Sequence, residues 1–151
     1  MPNLPAEIGK GVTGYFGNPE ASPGDDELAK LLTESIGLSL QVLQEEDLDK
    51  VTAVAGSGTG YAFEIIRCWI KAAESIGLSA DTSIEVVLAT IGGAVDLASV
   101  KSNSIEHLRN SVTSPNGTTA AGLAELRKDE SMEKLMKATV EAALTRAIEL
   151  R

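Results

Sequence analysis

The sequence contains a single cysteine, Cys68, and a single histidine, His107. One cysteine excludes an internal disulfide, and this pair cannot supply the nitrogen and sulfur ligands of a typical zinc site. We therefore predict no metal site. A Ser-His-Asp hydrolase would have to use His107 together with Ser57. A solvated histidine beside Glu106 and Arg109 is the simpler interpretation, and we assign no catalytic residue.

Positive charge is also scarce, with 13 Lys and Arg residues against 22 Asp and Glu residues and a net charge of -9. Without clustered basic residues, binding to nucleic acid or to an anionic membrane surface is disfavoured. No apolar run approaches 18 residues and no signal peptide opens the sequence, so we expect no membrane span and a soluble, cytoplasmic protein. Aromatic residues make up 3% and hydrophobic residues 43%, which predicts an aliphatic core.

The first 45 residues combine strand and helix signals. The glycine-bounded segment 11–17 is β-prone, and segment 17–24 is rich in turn residues. Acidic residues at 25–27 then favour a helix start, and glycine at 37 favours its end. Segment 39–43 reads as a second strand. The pattern is a β-α-β unit, which is too small to form a complete sheet domain.

From residue 45 onward the hydrophobic periodicity is helical. Ser79 or Asp81 is expected to cap one helix and Ser131 another, and the last helix carries two adjacent apolar stripes that could face a core and a partner. Gly92 and Gly93 each cost about 1 kcal/mol in a helix interior, which a close helix crossing would justify. The expected helices are 47–55, 62–77, 80–102, 104–110, 118–128 and 131–150.

The glycine-rich segment 56–60 invites a dinucleotide-binding interpretation. The Rossmann fingerprint requires a third glycine at position 61, where this sequence has Tyr61, and a strand after the following helix. A complete Rossmann site here is therefore improbable. Two interpretations remain: a helix-entry loop whose glycines permit close packing, or a loop that lets a ligand approach the backbone.

Residues 113–119 read Thr-Ser-Pro-Asn-Gly-Thr-Thr directly before a helix-compatible run. A helix start offers unpaired N–H donors and a positive dipole end, so this turn could hold one small anion such as a carboxylate. The alternative is a plain Asn-Gly turn followed by a threonine N-cap. From the residues alone, both interpretations stay open.

The sequence resembles the C-terminal part of pyrroline-5-carboxylate reductase in four blocks that occur in family order. The first resembles the family's M-P-N-T-P segment, the second its V-T-A-x-S-G-S-G-P-A-Y-x-F block and the third its L-[RK]-[DN]-x-V-T-S-P-G-G-T-T signature, while the fourth resembles its closing helix. These blocks are residues 1–5, 51–63, 108–119 and 142–150.

The resemblance implies a mainly α fold. Residues 1–45 would be the C-terminal remnant of a Rossmann-type domain, and residues 46–151 an all-helical dimerisation and substrate-binding domain. The family reaction is the NAD(P)H-dependent reduction of 1-pyrroline-5-carboxylate to L-proline. The glycine fingerprint for the cofactor is absent from these residues, so the alternative is a non-catalytic homodimerisation module.

The resemblance also implies site residues and partners. The substrate would be bound by Ser57, Gly58, Ser114, Gly117, Thr118 and Thr119, and the cofactor, NADPH or NADH, would be approached by Asn3, Glu45 and Ser111. We expect a homodimer, or a higher oligomer built from it, interlocked through residues 62–77, 80–102 and 131–150. A separate Rossmann-domain polypeptide could supply the cofactor half. At position 116 this sequence has asparagine where the family motif has glycine.

Overall fold

A computed structural model describes all residues, 1–151, and confirms a mainly helical chain with a short parallel sheet. The strands are β1 and β2, at Gly11–Tyr15 and Gly37–Gln41. The helices α1 to α7 are Pro23–Glu34, Asp47–Val51, Gly58–Ser75, Ala80–Val100, Ile105–Ser111, Thr118–Arg127 and Ser131–Glu149.

The β-α-β unit forms as the sequence predicts, with shifted bounds. Strand β1 pairs in parallel with β2, from Gly11 opposite Gly37 to Tyr15 opposite Gln41. Helix α1 begins two residues before the acidic run, because Ser22 and Asp25 form a capping box at its start. The Ser22 side chain accepts from the Asp25 N–H, and the Asp25 side chain accepts from the Ser22 N–H. The Thr33 hydroxyl on α1 lies 2.6 Å from the Ser39 hydroxyl on β2, so the helix packs on the Ser39 face of the sheet.

Residues 1–3 add a third segment to the sheet, antiparallel to β1. Pro2 forms a bridge with Thr13, and the Met1 amino group donates to the Gly14 carbonyl. The Asn3 N–H donates to the carbonyl of Val12, and the Val12 N–H donates back to the Asn3 side-chain oxygen at 2.8 Å. Both edges of β1 are therefore hydrogen-bonded over this stretch.

Replacing Gly37 with alanine is expected to disrupt the strand pair. Gly37 has a φ of 142°, and an added Cβ would lie 2.1 Å from the Gly11 carbonyl oxygen. Backbone strain and this clash together predict a loss of about 3 kcal/mol or more in the free energy of unfolding, measured by urea denaturation. Gly24→Ala is the matched control, since its Cβ meets only Ser22 Oγ at 3.7 Å. Equal stabilities of the two variants would contradict this account.

The predicted helix 47–55 is divided in two. Helix α2 ends at Val51, and a π-helical turn follows over Thr52–Gly56, with the Ser57 N–H donating to the Thr52 carbonyl at 2.8 Å. The Asn3 side-chain amide donates to the Ala55 carbonyl within that turn, at 3.0 Å. The glycine-rich segment is therefore largely helical, and its interpretation as a loop is wrong.

Other helix ends agree closely with the sequence patterns. Ser79 accepts a hydrogen bond from the Thr82 N–H and is the N-cap of α4, while Asp81 lies in the first turn. Ser104 caps α5 through the His107 N–H. The predicted cap at Ser131 is wrong, since its hydroxyl donates to the Leu126 carbonyl.

The chain divides into two compact units, residues 1–63 with 136–151 and residues 64–135. The first contains the sheet, α1, α2, the π-helical turn and most of α7. The second contains most of α3, together with α4, α5 and α6. The domain boundary between residues 45 and 46 stays a prediction.

The aliphatic core expected from the composition is not present within a single chain. The only buried hydrophobic residues are Ala53, Ala73 and Val87. Residues predicted to face a core are largely accessible, including Trp69 at 47%, Leu88 at 48% and Val95 at 58%. The helical periodicity is real, but few apolar side chains of the same chain pack against these faces.

The accessible surface gives the scale of this exposure. The chain has 10833 Å² of accessible surface. A folded monomer of its mass would have about 7,300 Å². The excess is about 3,500 Å² per chain, or about 7,000 Å² for a pair of chains, which is above the roughly 2,000–5,000 Å² in total that obligate partners usually bury.

Helix α4 is long and apolar enough to cross a membrane, by length and composition alone. Its most apolar 18-residue window has a mean hydropathy of 1.6, and 11% of that window is buried. The expectation that no segment qualifies rested on uninterrupted apolar runs, which the polar residues of this helix break up. One such helix is weak evidence for a membrane span.

Candidate functional site

The segment between α5 and α6 forms a tight turn. The Gly117 N–H donates to the Ser114 carbonyl at 3.1 Å, with Pro115 and Asn116 between them. Asn116 has a φ of 59°, the left-handed conformation that the third position of a type II turn requires. Asparagine tolerates this conformation better than most residues, so the turn forms although the family motif has glycine here.

The turn leaves three backbone donors open at the start of α6. The first helical hydrogen bond runs from the Ala121 N–H to the Gly117 carbonyl at 3.1 Å. The N–H groups of Thr118, Thr119 and Ala120 precede it and have no acceptor in the chain, as expected for a first helical turn. No acidic residue lies in this turn. The positive end of the helix dipole is therefore uncompensated.

The N-cap is Gly117, which provides no side chain to accept these hydrogen bonds. The threonine N-cap interpretation is therefore wrong, because Thr118 is already the first helical residue. The side chains of Thr118 and Thr119 are exposed. Both hydroxyls are consequently accessible to a ligand at the helix start.

Gly117 lies in close contact with Ser114. A Cβ at this position would lie 2.3 Å from Ser114 Oγ and 3.2 Å from the Ser114 carbonyl oxygen. The Ser114 side chain therefore folds over the Gly117 backbone and shapes one side of the turn. The Thr113 hydroxyl has a different role, since it donates to the Arg109 carbonyl at 2.7 Å and ties the turn to α5.

The predicted substrate residues Ser57 and Gly58 lie in the other compact unit. Ser57 joins the π-helical turn to α3, and its carbonyl accepts from the Gly60 N–H at 2.9 Å and the Tyr61 N–H at 3.2 Å. Gly58 begins α3, and an added Cβ would meet nothing within 4 Å. Both backbone groups of Ser57 are hydrogen-bonded within the chain, and the role of Ser57 and Gly58 toward a substrate stays a prediction.

The predicted cofactor residues form hydrogen bonds within the chain. Both polar atoms of the Asn3 side chain form hydrogen bonds: the amide nitrogen donates to the Ala55 carbonyl, and the oxygen accepts from the Val12 N–H. Glu45 lies before α2, where its carbonyl accepts from the Leu48 N–H at 3.0 Å. The Ser111 hydroxyl donates to the Leu108 carbonyl at 2.7 Å. Their side-chain roles toward a cofactor stay a prediction.

The start of α1 does not fit the phosphates of a dinucleotide. In Rossmann sites, a glycine-rich turn and a helix N-terminus hold the pyrophosphate. Here Asp25 and Asp26 occupy the first turn of α1. Hydrogen bonds from the Ser22 backbone and hydroxyl lower the pKa of Asp25, so this carboxylate stays charged at neutral pH. Two negative charges at this position would repel a phosphate.

Sequence reasoning missed the role of Asn3 as the link between β1 and the π-helical turn. Its position in a five-residue block gave no sign of a contact 52 residues away. It also missed a groove between α5 and α6, lined by Arg109, Thr113 and Arg127 among other residues. The helical spacing of residues 120, 123, 124 and 127 was the available signal for that groove.

Comparisons with known proteins agree on one family. The family model described as pyrroline-5-carboxylate reductase dimerisation matches residues 45–150. Pyrroline-5-carboxylate reductase 2 of Bacillus subtilis is 39% identical over 151 residues, which is all of this chain and 54% of the relative. The pyrroline-5-carboxylate reductase of Pseudomonas aeruginosa is 36% identical, over 99% of this chain and 55% of the relative.

Solved structures give the same result for the fold. A pyrroline-5-carboxylate reductase from Coxiella burnetii aligns with a TM-score of 0.93 and 33% identity, covering 99% of this chain and 55% of the other. Pyrroline carboxylate reductase of Plasmodium falciparum, solved with NADP bound, aligns with a TM-score of 0.91 and 32% identity, covering 97% and 59%. The chain spans about half the length of the curated relatives it matches. With the family's dimerisation domain over residues 45–150, this chain belongs to the pyrroline-5-carboxylate reductase family.

Proposed function

We propose that this chain is the dimerisation and substrate-binding half of a pyrroline-5-carboxylate reductase. The observation that carries the proposal is the start of α6, where three open N–H donors and two exposed threonines lie in one helical turn that contains no acidic residue. Such a cradle suits the ring carboxylate of 1-pyrroline-5-carboxylate or of the product, proline.

In this proposal, the backbone N–H groups of Thr118 and Thr119 and the Thr119 hydroxyl bind the carboxylate. Ser114 and Gly117 hold the turn in shape. By family resemblance, Ser57 and Gly58 also bind the substrate, and Asn3, Glu45 and Ser111 bind the cofactor. NADPH or NADH supplies the hydride in the family reaction, and these residues orient the substrate ring for its transfer.

The active assembly is a homodimer, or an oligomer built from it, interlocked through α3, α4 and α7. The exposed apolar faces of these helices support this proposal. Gly92 and Gly93 add to it, because a Cβ at either would meet nothing within 4 Å in the same chain. A close helix crossing at these glycines therefore requires a second copy.

The cofactor half is supplied by residues outside these 151, either upstream in the same protein or in a separate Rossmann-domain polypeptide. The acidic first turn of α1 supports this division of roles, because it is unsuited to the phosphates. We expect the assembly in the cytoplasm, where it would complete proline synthesis.

The second candidate is a non-catalytic homodimerisation module. The same acidic first turn favours it, since the start of α1 is unsuited to dinucleotide phosphates. The two candidates differ in ligand binding: a substrate-binding half binds proline at the start of α6, and a module kept only for assembly has no need to.

Thr119→Ala is expected to weaken proline binding by about 1–3 kcal/mol, because the carboxylate loses a hydroxyl donor. Isothermal titration calorimetry of the purified chain with L-proline measures this directly. Thr145→Ala is the matched control, since its hydroxyl donates to the Glu141 carbonyl within α7. Equal affinities for the Thr119→Ala variant and the unmodified chain would remove the carboxylate assignment.

A further inference from the structure

A groove in the compact unit of residues 64–135 lies between α5 and α6. Its volume is about 270 Å³, and one stripe of α6 forms its apolar wall, with residues at the helical spacing i, i+3, i+4 and i+7. The opposite wall comes from α5 and the residues just after it. The lining residues are Arg109, Asn110, Thr113, Ala120, Leu123, Ala124 and Arg127.

The two arginines of this groove differ from the others in the chain. Arg67, Arg146 and Arg151 each form an ion pair with a carboxylate, at 2.6 to 2.8 Å. Arg109 and Arg127 form none. In a chain with 22 acidic and 13 basic residues, two arginines without a carboxylate in one groove are notable.

Arg109 is held in place without being neutralised. Its guanidinium donates twice to the side-chain oxygen of Asn110, at 3.2 and 3.1 Å, and the residue is half-buried. Glu106 lies one helical turn earlier, but its carboxylate forms no ion pair with Arg109. Its own backbone N–H and the Ser104 hydroxyl account for most of the lowering of its pKa, and Arg109 contributes least. The charge of Arg109 is thus available to a ligand.

We propose that this groove binds a small linear dicarboxylate, with its chain on Leu123 and the two alanines and a carboxylate at each arginine. The apolar wall suits methylene groups, and guanidinium groups bind carboxylates with paired, directional hydrogen bonds. The groove borders the carboxylate cradle and shares Ala120 with it, but the cradle offers backbone donors and no cationic side chain, whereas the groove offers two guanidinium groups.

The test uses adipate and hexanoate, which have the same number of carbon atoms but two and one carboxylates. Calorimetry on the full chain is expected to show adipate binding at least about 5-fold more tightly, because only adipate offers a carboxylate to each arginine. Leu123 methyl resonances should shift on titration with adipate. Arg109→Gln and Arg127→Gln should each weaken adipate binding about 5- to 20-fold.

Arg67→Gln is the matched control, since that guanidinium is bound by Glu64 through two hydrogen bonds. Adipate affinity should be unchanged in this variant and in Thr119→Ala, and saturating proline should not displace adipate. Undiminished binding in both groove variants, or no saturable adipate binding, overturns the proposal. Displacement by proline together with loss in Thr119→Ala would place the dicarboxylate in the cradle and also overturn it.

Discussion

Fusing the cofactor-binding portion of the Bacillus subtilis relative ahead of Met1 is expected to create NADPH-dependent reduction of 1-pyrroline-5-carboxylate, where the 151 residues alone give none. Residues 1–3 already run antiparallel to β1, so a preceding segment can continue directly as a strand of the same sheet. The fusion supplies a phosphate site that the acidic first turn of α1 does not. Activity should rise at least about 100-fold over background, since orienting hydride donor and acceptor lowers the barrier by several kcal/mol.

The measurement is NADPH oxidation followed at 340 nm as a function of substrate concentration. The control fusion carries Thr119→Ala and should lose about 10- to 100-fold in kcat/KM, as expected when a carboxylate contact is removed. Turnover by the unfused chain would contradict the proposed division of roles. A folded, dimeric fusion that binds NADPH and proline but reduces nothing would contradict the substrate assignment.

Leu88→Asp is expected to abolish the homodimer at micromolar concentration. Leu88 lies on α4 and is 48% exposed in the single chain, and a dimer interface would cover this exposed part. By symmetry the substitution removes two leucines and adds two carboxylates in an apolar environment. Each leucine contributes about half of the roughly 1.5–3 kcal/mol that full burial gives, because the interface covers only its exposed part, and each buried charge costs several kcal/mol more. The dimer dissociation constant should rise by at least about 1,000-fold.

Sedimentation equilibrium measures this directly, with the unmodified chain expected to be a dimer at micromolar concentration. Leu31→Asp is the matched control, because it places the same charge on an exposed helical leucine, 66% accessible, outside the matched family domain. That variant should remain dimeric. A monomeric unmodified chain, or a Leu88→Asp variant that dimerises normally, would show that α4 does not form the interface.

The sequence predicted the order and type of elements well, because local signals decide them. The helices that are capped by Ser22, Ser79 and Ser104 begin within two residues of their predicted starts. The turn before α6 was also identified, because proline, asparagine and glycine leave the backbone few alternatives. What the sequence could not give was whether Thr118 capped the helix or followed the cap. A shift of one residue decides that question. With a threonine as N-cap, its hydroxyl would accept from the first N–H groups of the helix, whereas with Gly117 as N-cap these N–H groups stay free for a ligand.

The predicted packing was less successful, for a physical reason. Helical periodicity reports that a face is apolar, but it does not report which chain covers that face. The apolar faces of α3 and α4 were therefore predicted to be core positions, but they are exposed in the single chain. The π-helical turn at residues 52–56 was missed for a related reason. The Ala55 carbonyl of this turn accepts a hydrogen bond from the Asn3 side-chain amide. Asn3 is distant in sequence, and no local pattern encodes such a contact.

The bare apolar faces of α4 have a kinetic consequence. If a second copy is what covers them, final packing is a bimolecular step, and its rate depends on the concentration of newly made chains. Dilute chains would then persist longer as an exposed species that chaperones bind and proteases cut. Cells that make little of this protein would lose a larger share of it before assembly. Doubling its rate of synthesis would therefore more than double the amount of assembled protein.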